Sequence, residues 1–150
     1  MSQMDDIKKL REETGAGVMD AKKALEEHGS FEKAKAVLMA AGAAKAAKKA
    51  DRNAADGLVV SYIHSTGKVA SLVEINCETD FVAKTEDFKK LCNEVAMQAC
   101  AMPAENVEEL LAQAYIRDGS KKISDLVTET IAKVGENIKV ARFARFKVGE

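Results

Sequence analysis

The chain has 150 residues, 47% of them hydrophobic and 31% charged, with a formal net charge of -1. That is enough apolar sequence to bury a core in one compact domain or two small ones, and the near-neutral balance lacks the basic excess of a protein that grips phosphate backbones, so nucleic acid is not an expected partner. No run approaches the ~20 apolar residues needed to cross a bilayer, and the acidic start Met1-Ser2-Gln3-Met4-Asp5-Asp6 has no apolar signal core behind it, so no membrane association is expected.

Ile7 and Leu10 lie one helical turn apart before Thr14-Gly15-Ala16-Gly17 interrupts the pattern, which predicts a short first helix. Val18, Ala21, Ala24 and Leu25 recur at helical spacing up to Gly29. Ser30 is placed to cap a third helix in which Phe31, Ala34 and Leu38 share a face, with Gly42 as its expected stop. Helices this short are not stable singly, so residues 1–42 are expected to form a three-helix bundle. Residues 43–56 are rich in Ala and Lys, with little large apolar surface, and read as a solvated helical linker.

Residues 57–150 read as an α+β core. From Leu58 to Cys77 the period changes to two, with Val69, Ser71, Val73, Ile75 and Cys77 on one face, and Ser65-Thr66-Gly67-Lys68 joins two strands as an antiparallel hairpin. Phe88, Leu91, Cys92 and Val95 predict one covering helix. Val107, Leu110, Leu111, Ala114 and Tyr115 predict a second after Pro103, and Leu126, Val127, Ile131 and Val134 a third, capped by Ser124 and ended by Gly135. A final strand is expected to place Ile138, Val140, Ala144, Phe146 and Val148 on one face and Lys139, Arg145 and Lys147 on the other. The expected result is a three-stranded antiparallel sheet covered by helices on one side.

Cys77, Cys92 and Cys100 form an odd set without paired metal-ligand spacing, which suits a reducing cytoplasm and predicts neither a disulfide framework nor a metal site. His28 and His64 lie in no nucleophile or zinc motif, and Gly15 to Gly17 lacks the Lys-Ser/Thr ending of a phosphate loop. No catalytic residue, metal or cofactor is expected.

Two longer motifs carry a resemblance. The stretch Cys77-Glu78-Thr79-Asp80-Phe81-Val82-Ala83-Lys84-Thr85-Glu86-Asp87-Phe88 and the earlier Leu10-Arg11-Glu12-Glu13-Thr14-Gly15-Ala16-Gly17-Val18-Met19-Asp20-Ala21-Lys22-Lys23-Ala24-Leu25 are similar to the signatures of bacterial elongation factor Ts. Gly57-Leu58-Val59 and Val134-Gly135-Glu136-Asn137-Ile138 extend the likeness over most of the chain, and the N-terminal bundle resembles the ubiquitin-associated type of domain. The resemblance implies a guanine-nucleotide exchange factor, not an enzyme, which binds elongation factor Tu with GDP and promotes GDP release in the cytoplasm. It implies that Asp80 and Phe81 reach into the partner's nucleotide-binding domain and disturb its magnesium environment and helix packing. Thr79, Val82 and Lys84 complete that motif as secondary contacts, and Val18, Met19 and Leu10 are implied to touch the same GTPase domain. The nucleotide belongs to the partner, and this chain binds none directly. Many relatives carry two sheet-containing modules; one module here implies a homodimer in which a second copy supplies the other.

On the residues alone, Asp80 and Phe81 read more plainly as a turn carboxylate and a core anchor, Val82 as local packing, Lys84 as a solvated helix start, and Val18 and Met19 as bundle core. The competing functional readings are an adaptor whose bundle binds some other protein, and a small cysteine enzyme. For the latter, no local arrangement activates Cys77, Cys92 or Cys100.

Overall fold

The computed structural model describes residues 2–150. Three helices come first: α1 (Gln3–Thr14), α2 (Val18–His28) and α3 (Phe31–Lys49). The Ser2 and Ser30 hydroxyls accept from the N–H groups of Asp5 and Lys33 to cap α1 and α3, and Gly15 and Gly29 end α1 and α2 in the left-handed conformation. Leu10, Ala21, Ala24, Ala34 and Leu38 close around one another, with Ile7, Leu25 and Phe31 packed at the edge of this small core.

The expected stop at Gly42 does not occur, because α3 continues through it to Lys49. Alanines on both sides of Gly42 favour the helix, and a single glycine costs only about 1 kcal/mol against them. The helix ends at Ala50, where Asn137 Nδ2 donates to the Ala50 and Arg52 carbonyls at 3.3 and 2.9 Å.

The rest of the chain runs β1 (Asp56–Ile63), β2 (Val69–Cys77), α4 (Asp80–Ala83), α5 (Glu86–Ala101), α6 (Val107–Ala112), β3 (Ala114–Tyr115), β4 (Asp118–Lys122), α7 (Ile123–Val134) and β5 (Lys139–Lys147). The main sheet has the order β1-β2-β5, antiparallel throughout. Its inner face meets α5, against which α7 packs in turn, in one core built from Val73, Ile75, Cys77, Phe88, Leu91, Val95, Leu110, Ile123 and Ile131 with their neighbours. Full burial of a side chain such as Phe88 contributes roughly 1.5–3 kcal/mol.

Three further expectations are corrected. Ala114 and Tyr115 are not helical: they pair with β4 in a small hairpin. The fully buried Gln98 holds them there, donating to the Ala114 carbonyl at 3.0 Å and accepting from Ile116 N–H at 3.1 Å. Ser124 is not a cap; α7 starts at Ile123, two residues earlier than a Ser124 cap would place it, with the Asp125 carboxylate accepting from Lys122 N–H at 2.8 Å. In β5, Val140 pairs with Ile75 and Arg142 with Glu74, so Ala141 is an extra residue, a bulge that reverses the alternation. Val140 faces the core, whereas Ala144 and Phe146 point to the opposite face. Arg145, expected to be exposed, turns inward and donates from Nε to the Cys100 carbonyl at 2.9 Å.

The bundle docks on α7. A Cβ on Gly15 would lie 2.6 Å from the Glu129 carbonyl and 2.9 Å from Ala132 Cβ, so only glycine permits this approach. Beside it, Lys121 pairs with Glu129 at 2.8 Å and Lys35 with Glu13 at 3.2 Å, all four side chains being mostly enclosed. Burial pushes the Glu129 carboxyl above its ordinary range, against the opposing pull of Lys121.

Candidate functional site

The Asp80–Phe81 motif forms a single helical turn between the end of β2 and the start of α5. Thr79 is extended, and its hydroxyl accepts from Val82 N–H at 3.2 Å to begin α4. Thr85 closes the turn, donating from Oγ1 to the Val82 carbonyl at 2.7 Å and capping α5 by accepting from Phe88 N–H at 3.3 Å. Val82 and Ala83 insert into the main core, and this anchoring turns their neighbours outward.

Phe81 is 84% exposed, which excludes its plainer reading as a core anchor. Asp80 is also exposed and pairs with Lys84 at 2.7 Å, and the Asp80 carboxylate holds the Lys84 ammonium above its usual range. Both partners are in water, so the pair orients Asp80 with little effect on stability. The tip therefore presents a bare aromatic ring beside a carboxylate.

A second layer lies behind the tip. Glu136 Oε1 accepts from the N–H groups of Glu78 and Thr79 at 3.2 and 3.0 Å, and Oε2 accepts from the Thr79 hydroxyl at 2.8 Å. Reciprocally, Glu78 Oε2 accepts from Asn137 N–H at 2.7 Å. Sequence reasoning noticed Glu136 and Asn137 only as part of a familiar stretch and assigned neither a role. Nothing in the local sequence links them to Thr79.

Val18 and Met19 occupy the first turn of α2, 47% and 75% exposed, so neither is a bundle-core residue. Leu10 is corrected as a contact candidate, because it is fully enclosed in the bundle and has no free surface. Val82 is likewise buried under the tip, so its side chain supports the motif from within. Thr79 serves as the cap and Lys84 as the partner of Asp80.

The cysteines do not form a nucleophilic site. All three are buried and free; burial, aided by nearby Glu136, pushes Cys77 up to about 11, and burial pushes Cys92 up to about 12. Both are protonated near neutral pH, and Cys77 Sγ donates to the Thr79 carbonyl at 3.1 Å.

Comparison with known proteins agrees with this geometry. The family model for elongation factor TS matches residues 78–150, from the tip to the final strand. Elongation factor Ts of Thermotoga maritima is 43% identical, with 98% of this chain and 96% of the relative covered. The Coprothermobacter proteolyticus protein of that name is 44% identical, with 96% of each chain covered, and that of Heliobacterium modesticaldum 42%, with 96% and 88% covered. The Thermotoga alignment spans 191 positions against 150 residues here, so that relative carries internal sequence this chain lacks. With both the folded scaffold and this near-complete likeness in place, the chain belongs to the elongation factor Ts family of translation elongation factors.

Proposed function

We propose that this chain is a guanine-nucleotide exchange factor that binds elongation factor Tu with GDP and promotes GDP release, so that GTP can refill the site. The observation that carries this reading is the exposed ring of Phe81 on a turn braced at both ends and from behind. Burying such a ring in a partner is worth about 2–3 kcal/mol, and little of that is spent on ordering a tip that is already fixed. Asp80 brings negative charge to the same place. A magnesium ion bridging phosphates needs a closely defined oxygen shell, so a wedge that shifts the surrounding helices weakens the nucleotide.

No bond is made or broken by this chain. Its action is a binding antagonism: whatever factor it takes from the affinity for GDP, GDP takes from its own affinity. Val18 and Met19, exposed on α2, form a second contact with the GTPase domain. The work takes place in the cytoplasm, where translation occurs.

The chain acts as a homodimer in this reading, supported by the uncovered face of the sheet. Across that face Ile63, Ala70 and Phe146 align in one row, Ser61, Leu72 and Ala144 in the next, and Val59, Glu74 and Arg142 in a third. Ile63, Leu72, Val59 and Phe146 are exposed large apolar side chains on one surface, a kind of patch that folded monomers seldom leave in water. A second copy packing sheet on sheet about a two-fold axis covers it with itself.

The test is release of a fluorescent GDP analogue from elongation factor Tu. Acceleration that saturates with added chain, with excess unlabelled GDP present to prevent rebinding of the analogue, is the expected outcome. No acceleration at any concentration would reject exchange and favour the adaptor reading. Light scattering checks the dimer, and a monomer mass over a wide concentration range would reject it.

A further inference from the structure

A helix of only four residues, such as α4, has no stability of its own, so what surrounds it decides where it begins and where Phe81 points. The core fixes its inner side through Val82 and Ala83. The outer side depends on the Thr79 hydroxyl, which must offer a lone pair to Val82 N–H. A free hydroxyl rotates. Here its proton is committed to Glu136 Oε2 at 2.8 Å, while Glu136 Oε1 takes the backbone N–H groups of Glu78 and Thr79. One half-buried carboxylate thus fixes the last residues before the tip at three points.

The same loop holds a second element. Gly135 ends α7 in the left-handed conformation, which turns Glu136 and Asn137 away from the helix axis. Asn137 then donates from its side chain to the Ala50 and Arg52 carbonyls, at and just past the end of α3, and through its N–H to Glu78. Glu78 also pairs with Arg52 at 3.5 Å. The tip and the long helix that leads back to the bundle are therefore referenced to the same two residues.

We infer that Glu136 is a positioning residue of the exchange site, which through Thr79 fixes the one-turn helix presenting Asp80 and Phe81. The inference rests on the exchange reading above, and it places the residue behind the wedge and out of contact with the partner's nucleotide.

The experiment combines a mutant cycle with a readout that needs no partner. In the analogue-release assay Glu136→Ala is expected to lower the saturating rate about tenfold, the scale of losing charge-assisted hydrogen bonds, and Glu136→Gln, which keeps one acceptor oxygen, to lower it less. In a Phe81→Ala background Glu136→Ala should cost less than about twofold, because there is no ring left to position. In the free chain, amide hydrogen exchange at Val82 to Thr85 should speed up in Glu136→Ala and stay near wild type in Glu136→Gln.

A wild-type rate in Glu136→Ala, an equal loss with and without Phe81, or unchanged amide protection would each overturn the inference. If Glu136→Ala fails to fold, Glu136→Gln carries the same cycle, and a loss that persists undiminished in the Phe81→Ala background overturns it. A wild-type chain that does not accelerate release would overturn the exchange reading and the assignment of Glu136 to it, while amide exchange still decides whether the clamp exists.

Discussion

Phe81 and Phe146 are the two most exposed aromatic rings of the described chain, at 84% and 77%, yet their surroundings differ in kind. Phe81 stands alone on a one-turn helix, flanked by Asp80 and Lys84 and held from behind by Glu136 through Thr79. Phe146 stands in a cross-strand row with Ile63 and Ala70, on a surface that includes Leu72 and Val59. A single rigid ring amid charges suits a pocket on a different molecule; a broad flat apolar surface suits its own mirror in a second copy. Exposure alone does not separate these roles, whereas the neighbours do.

The largest effect should come from breaking the broad surface. Phe146→Asp puts a charge where two sheets are proposed to meet and should weaken the dimer at least about 100-fold, read by sedimentation, with the fold retained because this ring contributes little to the monomer core. Phe81→Ala should do the converse, weakening binding to nucleotide-free elongation factor Tu about 30-fold by calorimetry and leaving the sedimentation of the free chain unchanged. A dimer lost with Phe81, or a partner lost only with Phe146, would mean that the two rings do not serve separate contacts.

Next comes the frame that relates the bundle's Val18 and Met19 to the tip. Gly15→Ala adds a Cβ in a left-handed backbone and against the Glu129 carbonyl, and should lower the unfolding free energy by about 1–3 kcal/mol in denaturant titration. Unchanged stability would mean that the bundle is not seated on α7. Alkaline titration probes the ground under the tip. Cys77 keeps its proton up to about 11 in the folded chain, against an ordinary value of 9.0, so the folded state binds more protons over that interval. Its contribution is full below 9.0 and is lost as pH rises through about 11; the urea midpoint should fall across that window, and less steeply in Cys77→Ala. The smallest effect belongs to Gly42→Ala. A Cβ there meets only Thr128 Cγ2, at 4.0 Å, so the change should stabilise the chain by about 0.4–1 kcal/mol on thermal unfolding.

Much of the scaffold was legible because periodicity reports which side of an element is covered. The inward set Ser71, Val73, Ile75 and Cys77 and the α5 stripe from Phe88 to Val95 are such cases. What escaped depended on partners distant in sequence. The bulge at Ala141 reversed the face of β5, and Gln98 drew Ala114 and Tyr115 out of a helix they could otherwise have joined. At the site, the resemblance pointed to Asp80 and Phe81, but the same motif includes the buried Val82, and Leu10 was taken for surface although the bundle encloses it. Glu136 lies 57 residues from Thr79, and no local spacing marks that contact.

In the proposed exchange reaction a fixed, exposed ring at Phe81 drives nucleotide release. The most direct test of that role is rapid-mixing release of a fluorescent GDP analogue from elongation factor Tu at saturating concentrations of the wild-type chain and of Phe81→Ala. Strong acceleration by the wild type and a rate reduced about 30-fold by the substitution are expected, with the melting temperature of the free chain unchanged. Equal acceleration by both chains would contradict that role and move the wedge to another surface.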